Sequence, residues 1–373
     1  MRIRDFEFNL RELAGSMGDF GTLFPLAIGY IVVNRMNPAG LFFMMGMTNI
    51  VTGLVYHLPM PVEPKKVIAA VAIARRWSPE RIYASGIGLG LTWFLLVITG
   101  LIDRLARWTP KSVIRGIQLA LGIQLFITGF GMAREAWWLG LLAVLLALVL
   151  KDNPRAPAAL VLMGLGLAIS AWQGTLWPNL RFGFTPPPLI LPSWREIWPA
   201  MVGAGLAQIP LSITNAILAT SALLQEYFPD KPVPPKRLML NMGVMNVISP
   251  FFGGMPLCHG AGGLAGQYYF GARTGGTNII EGLIEIGLGV FLGGSLTGLF
   301  AAFPMAIIGG MMIVVAFQLG KFGLDLRGAD LAIMVVTGAI SVGTNMALGF
   351  VAGLAIYHLW QGKWAHARPG SAT

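Results

Sequence analysis

Two short segments carry the residues best placed to do chemistry. One reads Met60-Pro61-Val62-Glu63-Pro64-Lys65-Lys66, the other Met255-Pro256-Leu257-Cys258-His259-Gly260-Ala261-Gly262-Gly263. Each opens on Met-Pro and leads into a short apolar run. Pro61 and Pro64 favour extended backbone ahead of a helix and suit its first turn. Gly253-Gly254 and the glycines of 260–263 give the second segment an irregular start through backbone freedom instead. A helix that begins inside a membrane leaves its first N–H groups without partners, and its dipole adds partial positive charge there. Two such ends facing each other would hold an anion with few charged side chains. The plainer alternative is a pair of proline kinks with glycine packing faces; that the feature occurs twice favours the site.

Other polar residues stand in apolar surroundings. A carboxylate at Asp19 is costly there: it is either a functional, proton-carrying group or a helix-break residue and partner for Lys66. His259 can contact an anion, carry a proton near neutrality or sit packed and satisfied. Glu281 and Glu285 are four apart on one helix face; Glu281 can be merely interfacial, and Glu285 is deeper and better placed to relay protons. Gln208, Ser212 and Asn215 offer neutral hydrogen bonds to an oxyanion or between helices. Cys258 reads as a small packing residue rather than a reactive thiol. Lys65 and Lys66 are consecutive, about 100° apart on a helix, so one addresses the anion and the other a carboxylate or the packing.

The elements that must position these residues are apolar. Of 373 residues 55% are hydrophobic and 11% charged, with a mean hydropathy of +0.69 and 49 glycines; a soluble domain carries about 25% charged residues. The net charge of +10 raises nucleic acid as a partner, but no RNP, zinc-finger or helix-turn-helix pattern is present. Basic loops facing anionic lipid account for the charge better. The single cysteine excludes an internal disulfide and a Cys-rich metal site; no cofactor or metal is expected. Residues 1–12 lack a small-residue cleavage site and read as a retained cytoplasmic arm.

Segments of spanning character fall at 13–33, 39–57, 61–75, 80–102, 112–131, 136–150 and 157–173. A Pro-rich linker follows at 176–195. A second set lies at 196–224, 237–252, 256–270, 276–300, 304–319, 329–343 and 346–361. The expected fold is an all-α polytopic membrane protein with about 14 transmembrane segments, a first repeat over 1–175, a second over 196–362 and a cytoplasmic tail over 363–373. Seventeen of the 26 lysines and arginines then lie on the side of the termini, seven on the other, with Lys65 and Lys66 between. That asymmetry places both termini in the cytoplasm, with the outer pair Arg75-Arg76 as its weakest point. Seven segments per half make the repeat inverted. Pro25 and Pro210 sit in the first segment of each half, the Met-Pro pairs open the third, and Asn49 and Asn246 precede them at similar distances.

A resemblance adds to this reading. Gly15-Ser16-Met17-Gly18-Asp19-Phe20-Gly21-Thr22 is similar to the opening motif of the molybdate transporter family, relatives of the SulP sulfate permeases. The stretch Met60 to Ala72 resembles its second motif, and Met255 to Ala265 followed by Phe270-Gly271-Ala272-Arg273-Thr274-Gly275 its third. The resemblance covers essentially the whole chain. It implies seven plus seven inverted helices divided into core and gate domains, and anion binding between the third and tenth helices. Glu63 stands where the motif leads one to expect glutamine, and Lys65 where an apolar residue is expected; an acid near an anion site hinders binding unless paired or protonated. Lys66 aligns with the motif's lysine and is therefore the expected anion contact of the two.

The expected function is secondary transport of a tetrahedral oxyanion, molybdate or sulfate, by alternating access with proton symport. The expected substrate contacts are Thr22, Pro61, Val62, Glu63, Lys66, Gln208, Ser212, Cys258, His259, Gly260, Ala261 and Gly262. The proton-coupling candidates are Asp19, Glu63, His259 and Glu285. A nucleobase or bicarbonate transporter of the same fold is the alternative. An intramembrane enzyme is disfavoured, because no His-Glu-x-x-His, Gly-x-Ser-x-Gly or clustered metal ligands occur, and paired broken helices suit a carrier better than a channel. The expected partners are the oxyanion, protons and the bilayer of the cell membrane, with a homodimer compatible with all of this.

Overall fold

The computed structural model describes residues 2–3, 5–18, 20–102, 104, 108–150, 158–320 and 326–366. A two-stranded hairpin opens the chain, β1 (Arg2–Ile3) with β2 (Phe6–Glu7). The helices of the first half are α1 (Leu10–Ser16), α2 (Phe20–Val32), α3 (Pro38–Tyr56), α4 (Lys66–Ala74), α5 (Pro79–Thr99), α6 (Lys111–Ala133), α7 (Trp137–Val149) and α8 (Ala158–Trp172). Those of the second are α9 (Trp194–Tyr227), α10 (Pro235–Ile248), α11 (Ala261–Phe270), α12 (Gly276–Ala302), α13 (Met305–Gly320), α14 (Gly328–Gly343) and α15 (Met346–His366).

Local sequence explains the boundaries. Asn37 and Ser78 cap α3 and α5, their side chains accepting from the N–H groups of Gly40 and Arg81, with proline in the first turn of each. Gly100, at φ 64°, ends α5 in the left-handed conformation that glycine tolerates best. Pro210 lies inside α9, and wide π-helical turns at Met201–Gly205 and Ser212–Ala219 flank it; proline removes a backbone donor and crowds the preceding turn, which such turns accommodate.

Among the described residues, five helical stretches are long and apolar enough to cross a membrane: Pro38–Tyr56, Pro79–Thr99, Lys111–Val149, Trp194–Tyr227 and Gly276–Phe300. Leu95, Ile98, Leu141, Leu145 and Val149 point outward, an arrangement suited to lipid and not to water. Small residues bring helices together. A Cβ at Gly46 on α3 would lie within 2.4 Å of the Gly282 carbonyl on α12, and one at Gly282 within 2.4 Å of the Gly46 carbonyl. At the end carrying the N-terminal arm, the Glu12 carboxylate accepts from the backbone N–H groups of Arg273 (3.1 Å) and Thr274 (3.0 Å). This fastens α1 to the turn between α11 and α12.

The helices follow the expected segments, with instructive departures. Segment 13–33 is divided between α1 and α2. Segments 61–75 and 256–270 become helical only at Lys66 and Ala261, because the residues before them form a ladder. Strand β3 (Glu63–Pro64) pairs antiparallel with β4 (Leu257–Cys258), in the register Glu63↔Cys258 and Pro64↔Leu257.

Candidate functional site

The ladder joins two strands buried among helices, so the backbone groups it leaves over need partners. Asparagines supply them. The Asn246 amide donates to the Met242 and Leu257 carbonyls (2.7 Å each), and its oxygen accepts from the Leu257 N–H (3.0 Å). On the other arm, Asn278 accepts from the Met60 N–H (2.9 Å) and donates to the Met60 carbonyl (2.6 Å) and to Asn49 Oδ1 (2.8 Å). Asn49 donates in turn to Glu285 Oε2 at 2.8 Å. Further bonds tie the arms together. The Lys65 N–H donates to the Pro256 carbonyl at 3.0 Å. His259 Nδ1 lies 2.9 Å from the Pro61 carbonyl, a contact that calls for the proton on Nδ1. Thr220 Oγ1 donates to the His259 carbonyl at 3.2 Å.

The two helix starts that flank the ladder differ. On α4 the Val67 N–H donates to Gln208 Oε1 at 2.9 Å, while Gln208 Nε2 donates to Ser212 Oγ at 2.9 Å. Gln208 and Ser212 thus serve the first turn of α4. On α11 the N-cap is Gly260, with no side-chain capping bond. Gly262 is exposed, and a Cβ there would meet no atom within 4 Å. This is an uncapped, positively polarised helix end beside open space, with Ala261 and Gly263 buried to either side.

Glu63 packs against that same turn. A Cβ at Gly260 would lie 2.2 Å from its Oε2, and one at Gly263 2.3 Å from its Oε1. Its buried carboxylate also pairs with Lys66 Nζ at 3.1 Å; the Lys66 side chain is 20% exposed. The departure from the motif at Glu63 is therefore compensated twice, by a cation and by a helix N-terminus. Lys65 goes elsewhere. It is fully buried, its Nζ has no hydrogen-bond partner among the described residues, and the ammonium lies 5.2 Å from the centre of the Trp93 ring on α5.

Of the expected residues, Pro61, Val62, Glu63, Cys258, His259, Gly260 and Ala261 are buried together at the crossover, with Lys66 and Gly262 at its open edge. Cys258 Sγ lies 4.0 Å from the Pro64 carbonyl. Glu285 stands one step back, behind Asn49, and Glu281 accepts from Gln267 Nε2 at 3.3 Å. The Asn215 carbonyl accepts from Thr220 Oγ1 at 3.0 Å. Asp19 and the side chain of Thr22 lie outside the described residues. Sequence reasoning missed Asn278, Trp93 and the role of Gly263, and saw Asn49 and Asn246 only as marks of a repeat. An asparagine alone in an apolar helix is a signal for Asn278, because an amide buried in lipid must find partners.

Residues 11–125 and 200–319 match the family described as molybdate transporter of the MFS superfamily. Molybdate transporter 1 of Arabidopsis thaliana is 32% identical over 98% of this chain and 91% of its own length. Molybdate transporter 1 of Chlamydomonas reinhardtii is 28% identical over 92% and 90%. Among solved structures, the transmembrane domain of the cyanobacterial bicarbonate transporter BicA superposes with a TM-score of 0.68 at 18% identity, over 95% of this chain and 98% of that one. The murine anion transporter Slc26a9 in its inward-facing state gives 0.74 at 15%, over 97% and 69%. The fold is thus shared with the transmembrane regions of anion transporters, and the family match covers more than half the sequence. This chain is an integral membrane anion transporter and belongs to the molybdate transporter family.

Proposed function

We propose that the protein carries molybdate across the cell membrane by alternating access, with sulfate as its competing oxyanion and a proton as the coupled ion. The observation that carries this reading is the uncapped start of α11, where Gly262 faces open space; such a turn binds anions through backbone N–H groups. The names of the Arabidopsis and Chlamydomonas relatives favour molybdate. A nucleobase would need a carboxylate free to accept from ring N–H groups, and Glu63 is engaged by Lys66. The likeness to BicA is one of fold and does not favour bicarbonate. We read the chain as a carrier and not an enzyme. Its fourteen segments form two inverted repeats over 1–175 and 196–362 about the linker, with core and gate domains, both termini in the cytoplasm, and a bilayer that a homodimer would share. The substrate contacts are those expected from the sequence, with Gln208 and Ser212 acting through the first turn of α4 and Lys66 through its pairing with Glu63.

Purified protein in liposomes should take up molybdate saturably, with inhibition by excess sulfate and none by uracil or bicarbonate. Competition by uracil with no effect of sulfate would overturn the reading.

Among the coupling candidates, Glu63 is the carboxylate at the helix start that the anion approaches. A proton arriving there would remove its charge as the oxyanion enters. Wild-type uptake is expected to rise as external pH falls, and Glu63→Gln to flatten that response while retaining uptake. Wild-type transport that ignores a pH gradient would remove proton coupling from the proposal.

A further inference from the structure

The sequence motif favours Lys66 as the anion-binding lysine, but Lys66 is already committed to Glu63, 3.1 Å away. Lys65 is fully buried and its ammonium has no hydrogen-bond partner among the described residues. An ammonium held out of water without a partner is strongly destabilising, and the face of one tryptophan returns only a fraction of that loss. A methionine of similar length would fill the same space without the penalty. A charge kept in such a place needs a use.

Its surroundings suggest one. Lys65 is the N-cap residue of α4, and its N–H belongs to the crossover. The strand it faces across the ladder carries Cys258 and leads into His259. Among the described residues, the charged and titratable groups of the crossover are Glu63 and Lys66 on its own segment and Cys258 and His259 on the other, with Trp93 facing from α5. While Glu63 is ionised it offsets Lys66, so among the described residues Lys65 is the net cation of the anion-free site. The two helix starts add about half a positive charge each. Together the site presents about two positive charges, matching the charge of molybdate or sulfate and exceeding that of nitrate.

We infer that Lys65, not Lys66, supplies the fixed charge that selects divalent over monovalent anions at this site. The inference rests on the transport reading above. It is tested by thermal unfolding and anion titration of purified wild type, Lys65→Met, Lys65→Arg and Lys66→Met, using molybdate, sulfate and nitrate. Lys65→Met should melt higher than wild type without anion, because an unpaired buried charge is gone. It should also bind both dianions weaker by roughly tenfold or more, with nitrate much less affected. Lys65→Arg should keep the preference for dianions. Lys66→Met should melt lower, since it leaves Glu63 buried without its cation. Wild-type dianion affinity in Lys65→Met, an equal loss for nitrate, or a lower melting point in Lys65→Met would each overturn the assignment while leaving the transport reading intact. A wild type that binds neither dianion overturns both.

Discussion

Gly262→Leu is expected to abolish uptake in a protein that still folds. Gly262 is exposed and a Cβ there meets no atom within 4 Å, so a side chain can leave the helix without displacing its neighbours. It would fill the open space beside the uncapped turn of α11 and shield the N–H groups proposed to receive the anion. Losing two charge-assisted hydrogen bonds removes about 3 kcal/mol of binding, roughly a hundredfold. Uptake into liposomes should fall by that factor or more, with the melting temperature of the purified variant unchanged. The sequence alone suggests the same outcome at Gly260, but the structure separates the two. A Cβ there would be driven against Glu63 Oε2 at 2.2 Å, so Gly260→Leu should lose stability as well as transport. Wild-type uptake by a folded Gly262→Leu protein would remove the anion site from this helix.

Asn246→Ala should be among the most destabilising single substitutions in the chain. The side chain is fully buried and makes three hydrogen bonds, two of them to the backbone of Leu257 in the ladder. Alanine would leave that N–H and carbonyl unpaired in an apolar interior. At about 1–3 kcal/mol for each orphaned group, the loss is roughly 2–6 kcal/mol. Transport should fall with it, because the strand that delivers Cys258, His259 and Gly260 would lose its support. Detergent-solubilised protein followed by circular dichroism on heating would measure the first effect. An unchanged melting point would mean that the crossover does not depend on Asn246.

The apolar segments were legible in the sequence because a membrane leaves the backbone few choices: a run of 39–57 can only be helical, and Pro38–Tyr56 is what forms. The paired helix starts were legible for a related reason, since proline and glycine mark where a helix cannot yet have begun. The ladder between them was not. Two residues per strand are too few to show a period of two, and the partners are distant in the chain. The fate of the two lysines was half legible. Their spacing says that they diverge, but only packing against Trp93 and pairing with Glu63 decides which goes where. Likewise, Gln208 could be recognised as a polar residue near a site, while its bond to the Val67 N–H depends on how α9 lies against α4.

The ladder also bears on how the protein is made. Glu63 pairs with Cys258, a residue synthesised 195 positions later. Until then the ribosome has released a segment that suits the bilayer poorly. Helix α4 has nine residues, about 14 Å, less than half of a hydrocarbon layer about 30 Å thick. The strand before it carries unpaired backbone groups together with Glu63 and Lys65. The third segment must therefore be sheltered during insertion, by α2, α3 and α5 or by the insertion machinery, and the proposed anion site closes only after Leu257 and Cys258 arrive. Chains truncated before that point keep one half of the crossover without its partner strand, a polar stretch at membrane depth that cellular quality control can detect.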